Sequence, residues 1–591
     1  MCGINGFSWD DRQLIRNMND ILSYRGPDQS GVFNDRRMTL GHRRLSILDL
    51  SEKGRQPMPN EDQSIWLVFN GEIYNHMEIR KDLEEKGHRF LSNADSEVII
   101  HAYEEYGKGC LKLFNGMFAF ALWDSGKNLL FIARDRLGIK PLYYHYDGRN
   151  IIFSSEIKAI LRNPLIRRCV DRSVLNQYLK YRFVLAEESF IEGIKKLMPG
   201  HYLIYKDNEL SIGRYWDISW DPAIKKPLGY CMAHLERLLK DSVEKRLNSD
   251  VPLGAYLSGG LDSSLIAAIN SELREDAVKT FTVGFGHETD EFSYARVAAE
   301  HIGTEHHELV LSYDKISRML PKIIWHMDEP NTDITMVPLY FLSGFSRKKV
   351  TVVNTGEGAD ELFSGYHHYR IASKRLGFVP DLVKRSVYSW YYSPFKSGQR
   401  KALISYPYKE DRVLCGYLNA KKPSDILNRI LWFDIRNELP NWQLHRVDRM
   451  TMAHSQEARV PFLDHRIVEF SARLPVAMKQ PDLAGKYILK RIASKYLPKE
   501  IITRKKQGFT TPMHAWLKHS LEENAHEILS KEDITAAGLF NYSSVSDLLR
   551  KHRRSKSQLP FRPYSFQLLV LMMFQMWHKM YIENDCRIMR F

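Results

Sequence analysis

Leu253-Gly254-Ala255-Tyr256-Leu257-Ser258-Gly259-Gly260-Leu261-Asp262-Ser263-Ser264 reads as a strand, a glycine-serine loop and the opening of a helix. Glycines let a backbone approach a ligand closely, serines add donors, and a helix N-terminus favours anionic oxygens, so the stretch predicts a phosphate cradle. It lacks the Gly-Lys-Ser/Thr of nucleotide-hydrolysing loops and the Gly-x-Gly-x-x-Gly of dinucleotide folds.

Outward from this loop the same rhythm repeats. Strand-like runs at Thr280–Phe285, Glu308–Leu311 and Val350–Asn354 alternate with helical segments at Ser264–Leu273 and Phe292–Ile302, which predicts a parallel sheet covered by helices. From about Tyr366 to Phe591 the pattern is mostly helical and extends this domain. A second acidic cluster, Thr355-Gly356-Glu357-Gly358-Ala359-Asp360-Glu361, also follows a strand and belongs at the same carboxyl edge, where such sheets bind ligands. Carboxylates beside a polyphosphate site need a cation between them, so Asp262 and Asp360 are expected to hold Mg2+, with Glu357 left to orient or deprotonate an incoming amine. Glu361 reads as a helix-terminal charge.

Before a proline-containing linker at Trp216–Pro227 the pattern is different. Ile65–Phe69, Met117–Leu122, Leu129–Ala133 and Ile151–Phe153 read as strands bounded by turn signals at Asn70-Gly71, Asp124–Lys127 and Asp147–Arg149, with a helix near Ser96–Tyr106. This predicts packed antiparallel sheets with flanking helices, and so two domains, 2–215 and 228–591. The fold class is α+β for the first and parallel α/β with a helical extension for the second.

The chain of 591 residues is 44% hydrophobic and 26% charged, the composition of a globular enzyme. The apolar run Leu568–Met576 is too short to span a membrane and reads as a buried helix; no basic-then-apolar leader precedes it at the N-terminus, so the cytoplasm is expected. Six cysteines without a Cys-x-x-Cys pair argue against a disulfide framework or a zinc ribbon. The net charge of +14 favours anionic ligands, but the basic clusters are short and dispersed, a solvated surface rather than a nucleic-acid track.

Cys2 follows the initiator methionine. Once Met1 is removed, the residue carries both a thiol nucleophile and an α-amine, of ordinary pKa roughly 7.7–8.0, able to take the thiol proton. Asn70 and Gly71 then offer a side-chain amide and a backbone N–H to a developing oxyanion. Arg44 offers a two-pronged clamp for a ligand carboxylate, and Asp95 a counter-charge for an α-ammonium.

Taken together, Cys2-Gly3-Ile4, Tyr24-Arg25-Gly26-Pro27-Asp28, Arg44-Leu45-Ser46-Ile47, Asn70–Asn75 and Arg134–Gly138 resemble the glutaminase domain of class II glutamine amidotransferases, a fold of the N-terminal-nucleophile type. With the Ser-Gly-Gly-x-Asp-Ser pyrophosphate loop, Gly356–Glu361 and Glu457–Asp464, residues 2 to about 520 are similar to the glutamine-dependent asparagine synthetase family. The resemblance implies a ligase that releases ammonia from glutamine at Cys2, channels it, and delivers it to an aspartyl-adenylate made from ATP, yielding asparagine, AMP and pyrophosphate. It implies glutamine binding by Arg44, Asn70, Glu72 and Asp95, and nucleotide binding along Leu257, Ser258, Gly259, Gly260, Asp262, Ser263, Ser264, Val283, Thr355 and Gly356. Lys486 matches a lysine placed over the phosphates and the intermediate. A homodimer is compatible with it.

Tyr24 stands where the best-known bacterial member carries histidine, and the segment from Lys505 to Thr510 also departs. The acceptor therefore stays open to a rival, a uronic acid of a surface polysaccharide precursor or a cell-wall carboxylate. A more remote reading is a tRNA-modifying enzyme with the same pyrophosphate loop, which has no use for Cys2 in a glutaminase domain. A non-catalytic scaffold has no physical need for Cys2, Asp262, Glu357, Asp360 and Lys486 together.

Overall fold

The computed structural model describes residues 1–591 apart from 221–222, 288–289, 374–377, 422, 505–520, 555–562 and 586–591. The departing segment at 505–510 and the middle of the expected linker therefore lie outside the described residues.

The first twelve strands are β1 (Gly3–Phe7), β2 (Gln29–Asn34), β3 (Thr39–Arg44), β4 (Met58–Pro59), β5 (Ile65–Ile73) and β6 (Gly116–Asp124), then β7 (Leu129–Arg134), β8 (Tyr143–Tyr146), β9 (Ile151–Ser154), β10 (Ile194–Lys196), β11 (His201–Lys206) and β12 (Glu209–Arg214). They form two antiparallel six-stranded sheets, ordered β10-β8-β9-β1-β3-β2 and β12-β11-β7-β6-β5-β4. Alternation along these strands gives each sheet an inner apolar face. Ile4, Leu40 and Phe153 of one sheet meet Val68, Ala121 and Ile132 of the other in a common core. The outer face of the second sheet packs on helices His76–Glu85 and Glu97–Tyr106 through Phe69, Phe120, Leu83 and Ile99.

One sequence expectation fails here. Asn70-Gly71 is not a turn: β5 runs straight through both residues, with Asn70 opposite Ala119 and Gly71 opposite Phe118. Glycine is required because a Cβ at Gly71 would stand 2.1 Å from the Met117 carbonyl oxygen. A local turn signal yields to long-range strand pairing.

The second half holds β13 (Leu253–Tyr256), β14 (Lys279–Gly284), β15 (Glu305–Val310), β16 (Val352–Asn354) and β17 (Glu457–Arg459) in a parallel sheet ordered β15-β14-β13-β16-β17. Helices Leu261–Glu272 and Phe292–Ile302 follow β13 and β14 as expected. The apolar run near the C-terminus lies in the buried helix Pro563–Tyr581. No described helix is long and apolar enough to cross a membrane.

Candidate functional site

Cys2 immediately precedes β1 and has 6% of its surface exposed. Its backbone N–H donates to Asn70 Oδ1 at 3.0 Å, and its carbonyl accepts from Arg25 Nε at 3.1 Å. Because Oδ1 is the accepting atom, the amide nitrogen of Asn70 is turned away from Cys2 N, and this buried Nδ2 has no hydrogen-bond partner. A buried, unsatisfied donor is costly unless a ligand completes it. Burial raises the thiol above its ordinary pKa, opposed by the terminal ammonium, the Leu45 backbone and the Arg44 guanidinium, with Glu457 adding to the rise.

Around it the charges are buried. Burial, Asp95 and Glu457 hold the Glu72 carboxyl well above the usual range, against the pull of Arg459. Asp95 is raised by burial despite His76 and the Ile73 N–H, which it accepts at 2.7 Å. Arg44, expected to clamp a ligand carboxylate, is held by its own loop. Its terminal nitrogens donate to Gln29 Oε1 at 3.0 Å and to the carbonyls of Leu48 at 3.1 Å, Asp49 at 2.6 Å and Ser51 at 3.2 Å, so Arg44 fixes the 48–51 loop and acts on the thiol by its charge.

The edge strand of the parallel sheet reaches this site. Met1 places its ammonium 3.2 Å from Glu457 Oε2 and its side chain in an apolar cluster with Leu45, Ile47, Tyr74 and Met117. Arg459 pairs with Glu457 Oε1 at 2.6 Å and lies 3.5 Å from Glu72 Oε1. β17 has only three residues and no alternation, so its arrival beside Cys2 leaves no mark in the sequence. Further inward, Arg25 joins Glu156 at 2.7 Å and Asp448 at 2.8 Å, and Tyr24 completes that buried network by bonding Glu156 and accepting from Lys158 Nζ at 3.0 Å.

At the carboxyl edge of the parallel sheet, Leu257 N–H still bonds Phe281 O at 2.9 Å, then the chain turns. Gly259 has φ +66°, and a Cβ there would meet the Tyr294 carbonyl carbon at 2.4 Å. Ser258 and Ser263 bond each other through their hydroxyls at 3.0 Å, bracing the loop. Ser264 is wholly buried, with its N–H on Gly260 O at 3.1 Å and its hydroxyl without a hydrogen-bond partner. Val283 sits in β14, nearly buried. The neighbouring loop packs tightly, since a Cβ on Gly356 would approach Ser263 N to 2.8 Å. The Thr355 hydroxyl is buried without a partner.

Asp262 and Asp360 converge, as two ligands of one cation should, but the cation between them is the Lys486 ammonium, paired with Asp262 and 2.6 Å from Asp360 Oδ1. Despite its burial the two carboxylates raise the lysine pKa further. One ammonium thus serves two carboxylates, which leaves the pair with net negative charge. The donor set still suits Mg2+, which takes carboxylate oxygens and substrate phosphates. Two glycines allow the approach: a Cβ on Gly365 would strike Asp360 Oδ1 at 1.8 Å, and one on Gly485 would strike Ser364 O at 1.6 Å.

Glu357 accepts from Arg446 Nη2 at 2.6 Å, while Arg446 Nη1 reaches Asp333 Oδ2 at 2.6 Å. Burial, then Asp333 and Asp360, raise the Glu357 carboxyl, opposed by Arg446. Arg446 and Asp333 were not legible, because both arrive from distant segments. Glu361, expected as a helix-terminal charge, lies in the first turn of its helix, fully buried and pushed up to about 8 by burial and Asp360.

The glutamine amidotransferase domain family matches residues 1–216, and the asparagine synthase family matches 234–579. Glutamine-hydrolyzing asparagine synthetase 1 of Bacillus subtilis is 32% identical over 99% of this chain and 97% of its own length, and synthetase 3 of that organism is 34% identical over 93% of each. Amidase chyE of Penicillium rubens is 27% identical over 90% of this chain and 89% of its own.

Proposed function

Because the chain belongs to the asparagine synthase family, we propose that it hydrolyses glutamine at Cys2 within residues 2–215 and spends the ammonia within 228–591 on an ATP-activated aspartate, forming asparagine, AMP and pyrophosphate. It is an ATP-dependent carbon–nitrogen ligase with glutamine as amide donor.

The observation that supports the first half most strongly is the unpartnered Asn70 Nδ2 beside the Cys2 backbone. With Met1 removed, the freed α-amine takes the thiol proton and the thiolate attacks the amide carbon of glutamine. Asn70 Nδ2 and the Gly71 N–H receive the oxyanion, ammonia leaves, and water releases glutamate from the thioester. Glu72 and Asp95 supply negative charge for the ammonium of the amino acid. Arg44 holds the loop over it.

In the second half, Ser258, Gly259, Gly260 and Ser263 cradle the phosphates against the helix N-terminus, with Leu257, Val283, Thr355 and Gly356 bordering the nucleotide. Asp262 and Asp360 are the residues suited to Mg2+, which offsets charge on the departing pyrophosphate. Lys486 exchanges its two carboxylates for phosphate oxygens, and Glu357, its proton affinity raised by burial, accepts the proton as ammonia adds.

The test incubates purified protein with magnesium-ATP, glutamine and either aspartate or candidate uronic acids, following AMP and the amide. Aspartate-dependent AMP with equimolar asparagine is expected. AMP from a sugar acid alone overturns aspartate as acceptor and leaves the amidotransferase chemistry standing.

A further inference from the structure

Away from both sites, three side chains point at one spot. His88 follows the turn that ends helix His76–Glu85, His101 lies in the middle of helix Glu97–Tyr106, and Glu104 is three residues further along the same helix. His88 Nδ1 is 3.3 Å from His101 Nδ1, His101 Nδ1 is 3.1 Å from Glu104 Oε2, and His88 Nδ1 is 3.7 Å from that same oxygen. Ligands about 2.0–2.1 Å from a tetrahedral zinc ion stand about 3.3–3.4 Å apart, so this triangle has the size of one face of such a coordination shell.

The outer partners fit as well. His101 turns its other nitrogen, Nε2, to Glu97 Oε1 at 3.7 Å, and His88 turns its Nε2 to Glu105 Oε2 at 3.6 Å. Asn60 Nδ2 fixes the second oxygen of Glu104 at 2.9 Å. Metal-bound imidazoles characteristically aim one nitrogen at the ion and the other at a carboxylate, and here both do so. His101 is almost fully buried, and an edge-on contact with Phe90 at 4.5 Å between ring centres holds its plane. Among the described residues this is the one group with three such ligand atoms mutually within 4.8 Å.

We propose that His88 Nδ1, His101 Nδ1 and Glu104 Oε2 bind one zinc ion, with the fourth position open to solvent, and that the ion staples the end of one helix to the middle of the next. The segment between them carries Leu91 and Ser92, whose N–H groups bond Glu97 at 2.7 and 2.8 Å, and then Asp95, which anchors β5 at Ile73. The staple thus braces the approach to the glutamine site without touching it. A spacing of His-x12-His-x2-Glu matches no familiar zinc signature, so only the fold assembles the group.

The test uses the tag-free full-length protein, stripped with a chelator and titrated with zinc against a chromophoric competitor. One tight equivalent per chain is expected, with affinity reduced at least about a hundredfold in His88→Ala and in Glu104→Gln, both outside the buried core. Zinc should also raise the thermal midpoint of the parent protein and leave both variants unmoved, while magnesium moves none of them. Equal zinc stoichiometry and affinity in parent and variants overturns the proposal, as does an absence of tight zinc from the parent.

Discussion

The two candidate sites handle charge in different ways. Beside Cys2, Glu72, Asp95 and Glu457 are all buried, with Arg459, Lys140 and the terminal ammonium acting on them. Burial first of all leaves Glu72 and Asp95 with raised pKa values. At the pyrophosphate loop, Asp262 and Asp360 share one lysine, Lys486. The first arrangement suits a ligand whose ammonium offsets buried carboxylates. In the second, one ammonium serves two carboxylates, and the ligand must exchange partners with that lysine. Buried ion pairs of this kind contribute little net stability, so their value lies in placing charge.

Lys486→Met attacks the lysine-bridged site most directly. It leaves two carboxylates facing each other and removes the positive charge for the phosphates, so pyrophosphate release should fall by roughly a thousandfold while glutamate release stays within about twofold. Asp262→Asn and Asp360→Asn should each impair adenylate formation by about a hundredfold or more, again sparing glutamine hydrolysis. Equal losses in both assays from a folded variant break the separation between the sites.

Asn70→Ala sharpens the other side. Removing one oxyanion donor typically costs ~2.7–4 kcal/mol of barrier, so kcat for glutaminase should drop by about 10²–10³ with little change in ammonia-dependent synthesis. A change in KM alone contradicts the donor role.

Arg446→Gln is expected to act more mildly through Glu357. Arg446 lowers the Glu357 pKa, so its loss raises that value, and a base that works ionised then needs a higher pH. The acid limb of the ammonia-dependent rate should move up in pH, with kcat down about tenfold at neutral pH. A lower plateau with an unmoved limb reduces Arg446 to a purely structural part. The smallest effect concerns the thiol itself: with Met1 retained, buried Cys2 should alkylate more slowly than exposed Cys415 near neutral pH, as peptide mapping after iodoacetamide will show.

The pyrophosphate-loop site was easier to read in the sequence than the glutaminase site, for a physical reason. A strand, a loop and a helix N-terminus follow one another in the chain, so Leu253 to Ser264 carries its own geometry, and the expected helix Phe292–Ile302 appears with those very bounds. The glutaminase site is assembled across strands. Cys2, Asn70 and Asp95 were legible as chemistry, yet Asn70-Gly71 looked like a turn because its glycine answers to the Met117 carbonyl of a neighbouring strand. For Arg44, nothing local announces the 48–51 carbonyls that it also holds. Likewise β17, Arg446, Gly365 and Gly485 matter through partners far away in the chain, and His88 with His101 through the meeting of two helices.

If two chemically separate sites share one chain, Cys2→Ala separates them when glutamine-supported and ammonium-supported asparagine formation are measured side by side on the same preparation. Glutamate release and glutamine-supported synthesis should fall to background, by roughly a thousandfold or more, while ammonium-supported synthesis keeps the parent rate within about twofold. Substantial glutaminase activity in that variant, or loss of ammonium-supported synthesis from a folded protein, would contradict that separation.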